Sequence, residues 1–379
     1  MTGPQEGNRM SENERRILKR EGTPHLFREI SLRSVQASNR IMLSPMCQYC
    51  AEDGVPDDWH LVHLGSRAVG GAGIVFTEAT HIEPRGRITP YCLGLWNDEQ
   101  AEAFARIVRF IEKQGSVPAI QLGHAGRKAS TAQPWNGSKP LSVSEGGWET
   151  IGPSALPFAA GYAPPREMTL EDIADVTRAM VKSTILARQA GFRIIEVHAA
   201  HGYLLNEFLS PLSNHRTDQY GGSFENRVRF LRECIAAVRT EWPDELPLFV
   251  RLSVSEWVEG GWNVEDSIRL AQILKADGHV DLIDCSSGGN DPRQQISAHP
   301  GYQLPFSQAV RLGADIPTGA VGLLHSPDLC EQVLANGQAD LVILGRALMA
   351  EPYWPIHAAK KLRTTKDWPV QYERSNIYG

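Results

Sequence analysis

One unit recurs along the chain from Arg40 onward. A short apolar run comes first, then a polar or glycine-rich loop, then an amphipathic helix. The runs are Ile41–Ser44, Gly73–Glu78, Ala119–Leu122, Ile194–His198, Leu248–Leu252, Leu282–Cys285, Thr318–Val321 and Leu341–Leu344. Strands that alternate with helices must lie parallel, and eight such units favour a closed (β/α)8 barrel over an open, doubly wound sheet. No G-x-G-x-x-G follows the first run, which counts against a dinucleotide-binding Rossmann domain.

Local signals mark the helix ends. Thr169 with Asp172 reads as a capping box, and Gly191 closes that helix. Ser223 opens another, with Val228, Leu231, Ile235 and Val238 on one face. Asn263 and Gly278 bracket a third, and Ser326-Pro327-Asp328 and Gly337 a fourth.

The length of 379 residues is then one elaborated barrel rather than two domains. Residues 1–22 hold nine charged side chains and few apolar ones, and are expected to form a disordered or frayed extension, with a short helix around Asn13 to Arg20. Residues 23–379 are expected to form the barrel, with a tail at about 366–379. The stretch 128–168 is too rich in Gly, Pro and Trp for regular structure. It is expected to be an insertion after the third strand, with a hairpin, partly covering the barrel mouth.

Composition narrows the function classes. Lys+Arg 38 against Asp+Glu 44 gives a net charge of −6 without a basic stripe, so no nucleic-acid partner is expected. No apolar run approaches the ~18 residues of a membrane span, and the start lacks a signal core, so no membrane partner is expected and the protein is placed in the cytoplasm. Six cysteines include one C-x-x-C, Cys47 and Cys50, without a second pair at zinc-ribbon spacing or an iron–sulfur set. The sequon Asn136-Gly137-Ser138 reads as a turn.

A barrel carries its chemistry at the C-terminal ends of its strands. There the fourth run gives Glu196-Val197-His198, then His201-Gly202-Tyr203. Alternation points Ile194, Glu196 and His198 into the barrel. Two imidazoles and a phenol leave the strand together and can bind one substrate oxygen and supply a proton. A metal pair, or histidines satisfied by loop carbonyls, are the alternatives. Arg251 sits in the apolar fifth run and needs an anionic partner, either Glu196 or a bound cofactor. Gln121 ends the third run. Glycines after the last strands, Gly319, Gly322 and Gly345, together with Arg346, fit a phosphate. Ser286-Ser287-Gly288-Gly289 adds similar small residues after the sixth. Cys47 at the first strand end reads as a nucleophile, a redox partner of Cys50, a cofactor-tuning thiol or a small buried residue.

Several motifs resemble one family. Ser44-Pro45-Met46-Cys47-Gln48-Tyr49, Gln121-Leu122-Gly123-His124-Ala125-Gly126-Arg127, His198-Ala199-Ala200-His201-Gly202-Tyr203, Asn206–Pro211, Asn214–Asp218 and Tyr220–Ser223 are similar to the old yellow enzymes, in the branch of xenobiotic reductases and thermophilic-like ene-reductases. The resemblance covers about residues 25–375. It implies a barrel that binds FMN non-covalently, consumes NADPH or NADH, and reduces activated alkenes. Nitrate esters and quinones are alternative substrates, and a metal-dependent hydrolase using His198 and His201 is a more distant one. No metal is expected. By the resemblance, Ser44, Pro45, Met46, Cys47, Ala79, Gln121, Arg251, Gly322, Gly345 and Arg346 bind FMN, and Cys47 also tunes its potential. His198 and His201 hold the substrate oxygen, Tyr203 gives the proton and Tyr49 touches substrate. Arg374, near the tail, is expected to enter a neighbouring subunit's site in a homodimer or homotetramer.

Overall fold

The computed structural model describes residues 22–375. The expected extension over residues 1–22, with its helix, lies outside the described residues except for Gly22.

Eight parallel strands close into a barrel in chain order: Ile41–Leu43, Ile74–His81, Val117–Gly123, Ile194–Ala199, Leu248–Ser253, Leu282–Ser286, Thr318–Ala320 and Leu341–Leu344. Closure is direct, since Val342 of the eighth strand pairs with Ile41 of the first. The second strand runs on to His81, past the Glu78 end expected from sequence, through a register shift between Phe76 and Ala79. Every residue of the fourth, fifth and sixth strands is buried, as parallel strands sheathed by helices require. The interior is filled rather than hollow: Phe76 and Phe249, on the non-adjacent second and fifth strands, meet across it at 6.2 Å.

Helix punctuation follows local chemistry. The Thr169, Ser223 and Asn263 side chains each accept the backbone N–H three residues on, and Gly191 and Gly278 end their helices in left-handed conformations. Helix Pro327–Ala335 departs from this. Ser326 makes no side-chain cap bond, and Asn336 rather than Gly337 is its C-cap.

Two additions frame the barrel. A hairpin, Ile30–Leu32 with Val35–Ala37, was not foreseen from sequence. It closes the N-terminal end, where Ser34 N–H donates to Glu245 O and Arg33 pairs with Asp281 at 2.6 Å. At the other end, segment 128–168 contains short turns and a two-residue ladder, Ile151–Gly152 with Arg166–Glu167. That ladder is parallel, so the expected hairpin is corrected. Only a single antiparallel bridge, Thr131 with Pro140, spans the Asn136-Gly137 turn. The segment reaches the barrel mouth: Gln133 donates to Tyr49 O at 3.1 Å, and Trp135 packs edge-on against the Tyr49 ring. Among the described residues, no helix is long and apolar enough to cross a membrane.

Candidate active site

The strand stagger builds a polar layer at the C-terminal end of the barrel. Register sets Gln121 beside Glu196, His198 beside Arg251, and Arg251 beside Asp284. The Glu196 partner offered for Arg251 is therefore corrected. Glu196 lies opposite Phe249 and accepts from Gln121 Nε2 at 2.7 Å. Arg251 Nε instead lies 3.1 Å from Asp284 Oδ2, and Asp284 is fully buried. Burial raises both carboxyls. Asp284 is the one at the cation, so it carries the charge. Glu196, which Asp284 raises further and Arg251 lowers, keeps its proton near neutrality.

Above this layer stand the two imidazoles. Ala200 N–H donates to His198 Nδ1 at 3.3 Å, which leaves Nε2 as the N–H nitrogen. His201 Nε2 lies 2.7 Å from Ser286 Oγ. His201 is held at φ 61, with its N–H donating to Ser253 Oγ at 2.8 Å. A non-glycine residue kept in the left-handed region by its surroundings is a frequent mark of a working site. The rings are edge-to-face, with centroids 5.2 Å apart. Burial first, then neighbouring cations, keeps both imidazoles well below their usual range, so they are neutral donors. Gly202 completes the turn at φ +72, and a Cβ there would stand 2.4 Å from Gly289 O.

Burial raises the Tyr203 hydroxyl, so it remains a phenol at any working pH. Lys128 was not recognised from sequence. Its Nζ lies 5.0 Å from the Tyr203 ring centroid and 4.6 Å from that of Phe158, and donates to His201 O at 2.8 Å and Gly289 O at 2.7 Å. Burial pushes this ammonium down to about 8. Its signal in the sequence was only a lysine after Arg127.

Ser44, Pro45, Met46, Cys47, Ala79, Gln121, His198, His201, Tyr203, Arg251, Gly345 and Arg346 surround one cavity of about 300 Å³. A second cavity of about 400 Å³ shares Gly345 and Arg346 with it and adds Gly322, Ser286, Tyr302 and Gln303. Tyr49 stands beside these, in an apolar cluster with Cys47, Tyr203 and Trp148. Arg374 is not brought to either cavity; it lies exposed on the turn Val370–Ser375. A hydrogen bond with Cys92, then burial, pushes the Cys47 thiol up, which disfavours the thiolate that a nucleophile needs. Its thiol neighbour is thus Cys92, forty-five positions away, and both are free.

Residues 25–365 match the model of the NADH:flavin oxidoreductase / NADH oxidase family. The chain belongs to this family. It is an NAD(P)H-dependent flavin oxidoreductase of the old yellow enzyme type, and FMN is its cofactor. It is 47% identical over 351 residues to an NADPH dehydrogenase of Geobacillus sp. (strain WCH70), covering 92% of this chain and 98% of that one. Morphinone reductase shares the fold at a TM-score of 0.76 and 26% identity, over 94% of this chain and 99% of the other. An old yellow enzyme homologue from Zymomonas mobilis matches at a TM-score of 0.75 and 27% identity, over 92% and 96%. Membership of this family of flavin oxidoreductases removes the hydrolase alternative.

Proposed function

We propose that this old yellow enzyme relative is an ene-reductase acting on α,β-unsaturated carbonyl or nitro compounds. The observation that carries the reading is the convergence of His198, His201 and Tyr203 on the cavity that Gln121 and Arg251 also line.

The residues present fit FMN. Arg251 has a single buried counter-ion and faces a cavity, so a bound anionic or electron-rich ring has a cation to meet. Gly345 lines the same cavity, and a Cβ there would crowd Met46 Sδ at 3.2 Å. Ser44, Pro45, Met46, Cys47, Ala79, Gln121 and Arg251 would hold the ring system, and Gly322, Gly345 and Arg346 the phosphate. Bound FMN supplies hydride chemistry, accepting hydride from NAD(P)H and giving it to the acceptor's β-carbon. NADPH is taken as the reductant, after the Geobacillus relative.

The chain's own groups do the rest. The His198 Nε2–H and His201 Nδ1–H donate to the acceptor oxygen and stabilise the charge that develops there. Their neutrality lets them donate without themselves giving up a proton. Tyr203 protonates the α-carbon; a phenol raised by burial is a sufficient acid only towards a strongly basic carbon. Cys47, as a thiol rather than a thiolate, tunes the ring beside it. Tyr49 and the insertion wall the substrate. In a homodimer or homotetramer Arg374, exposed in one subunit, would reach the neighbour's site. Six thiols, free in this structure, suit the reducing cytoplasm in which we place the enzyme.

The deciding experiment is an anaerobic spectrum of the purified, flavin-loaded protein. NADPH should bleach the flavin band, and 2-cyclohexenone should restore it. Bleaching without recovery on any enone or nitroalkene would reduce the protein to an NADPH dehydrogenase and remove the ene-reductase reading.

A further inference from the structure

Cys47 and Cys92 meet where two loops are stitched together at the barrel mouth. Cys47 follows the first strand and Cys92 the second. Ala51 N–H donates to Tyr91 O at 2.9 Å, and Gly94 N–H to Gly54 O at 3.0 Å, so backbone bonds hold the loops together on both sides of Cys92. Cys92 is fully buried, in the small apolar cluster against which Cys47, Tyr49 and Tyr203 pack. Cys47 in turn lines the cavity with His198, His201 and Tyr203. The two thiols are hydrogen-bonded to each other, and neither is in a disulfide.

We propose that Cys47 and Cys92 are a peroxide-sensitive dithiol, which closes to a disulfide in the cavity wall and lowers turnover until a thiol reductant opens it. The oxidant is hydrogen peroxide, which is small enough to enter the cavity. The Cys47 sulfur attacks one peroxide oxygen, the O–O bond breaks, and the thiol proton leaves with the other oxygen as water. Cys92 then attacks the sulfenic sulfur of Cys47. The S–S bond forms, the S–O bond breaks, and the departing hydroxide takes the Cys92 proton as a second water. The two sulfurs together lose two electrons, and peroxide gains them.

The simpler account is two small apolar fillers that satisfy each other. It leaves two features over. The first is the polar dressing of Cys92. Thr89 N–H donates to Cys92 Sγ at 3.4 Å, and the Thr89 hydroxyl lies at the same distance. Arg87 is the cation on that side, with its guanidinium over the Trp96 and Trp148 rings at 5.6 and 5.4 Å. Burial lowers this guanidinium, and the Cys92 sulfur acts the other way. A sulfur that accepts hydrogen bonds beside a cation is readied for the thiolate that the second step needs. The second feature is asymmetry. Cys47 is half-buried and opens on the cavity, whereas Cys92 is sealed. The reachable sulfur meets the oxidant and the sheltered one resolves it. Cys50, three positions from Cys47, faces His60 Nε2 at 3.8 Å instead. The hydrogen bond from Cys92, then burial, keeps Cys47 a thiol, so the first step is slow. The disulfide therefore forms under sustained peroxide and not at each turnover.

The test treats the flavin-loaded protein with hydrogen peroxide, removes the excess and counts thiols after unfolding. All six cysteines are free at the start. The proposal expects two thiols to disappear, the mass to fall by two hydrogens, and digestion to give a peptide pair linking Cys47 to Cys92. NADPH oxidation should fall in step with that loss and return with dithiothreitol. Cys92→Ser should keep NADPH oxidation before treatment. After peroxide it should hold no disulfide and carry a sulfenic acid at Cys47 that dimedone traps. An undiminished thiol count, a link from Cys47 to Cys50, or NADPH oxidation unaffected by the closed disulfide would each overturn the proposal. The peptide link is read on the wild-type protein, so the outcome stands even if Cys92→Ser fails to fold. None of these readouts depends on the ene-reductase reading.

Discussion

The ring of His198 meets that of Tyr203 edge-on, with centroids 5.0 Å apart and planes at 85°. In the proposed reaction, the contact joins the donor to the acceptor oxygen with the acid that gives the proton. It also separates their roles, because one is a neutral imidazole and the other a phenol kept protonated by burial. Tyr203→Phe should therefore slow reoxidation of the reduced enzyme by an enone by roughly 10²–10⁴. Its reduction by NADPH should hardly change. Stopped-flow measurement of the two half-reactions separates them; equal slowing of both would place Tyr203 elsewhere in the cycle.

Burial brings the Lys128 ammonium, which lies over the Tyr203 ring, down to about 8. Its charge is present below about 8 and lost above it. Above that pH the ammonium over the Tyr203 ring is gone, and its bonds to two carbonyls weaken. Acceptor reduction should fall in wild type as pH passes about 8. Lys128→Met should be slower at neutral pH and flat across the same window. A pH–rate profile of the oxidative half-reaction reads this out.

Arg251 and Asp284 form a buried ion pair beside the cavity proposed for the cofactor. Removing one member of such a pair leaves a buried charge uncompensated, at a cost of about 3–5 kcal/mol. Asp284→Ala should lose about that much in urea unfolding of the apoprotein. Arg374→Ala, at an exposed position, should in contrast leave stability unchanged. If subunits share sites, it should raise the acceptor KM.

Glu207 is fully buried and accepts Arg127 N–H at 2.8 Å, while its Oε2 has no partner. Burial raises its carboxyl from the ordinary glutamate range to about 8. The folded state therefore holds a proton that the unfolded chain releases above about 4.5, so stability falls as pH rises towards 8. Glu207→Gln keeps the acceptor and removes the ionisation. Its melting temperature should exceed that of wild type at pH above 8, and the gain should vanish below the unfolded value. A gain of equal size at both ends would point to packing rather than ionisation.

Much of the site was legible because it sits in short, contiguous motifs at strand ends. Period-2 alternation put His198 inside the barrel, and the run to Tyr203 needed no distant information. Lys128 was missed because its partners, His201 O and Gly289 O, are 73 and 161 positions away. The same holds for Glu78, which reads as the end of an apolar strand until His60 and Gln48 are folded against it.

The alternation of apolar runs and capped helices, by itself, determined the barrel, its eight strands and the end at which the chemistry sits. These follow from local periodicity and from the rule that parallel strands need helical crossovers. The tertiary structure alone decided who pairs with whom. Strand stagger gave Arg251 to Asp284 instead of Glu196, and folding brought Cys47 to Cys92 instead of Cys50. Register between strands, and contacts between loops, depend on how the whole barrel closes, and no local pattern carries that.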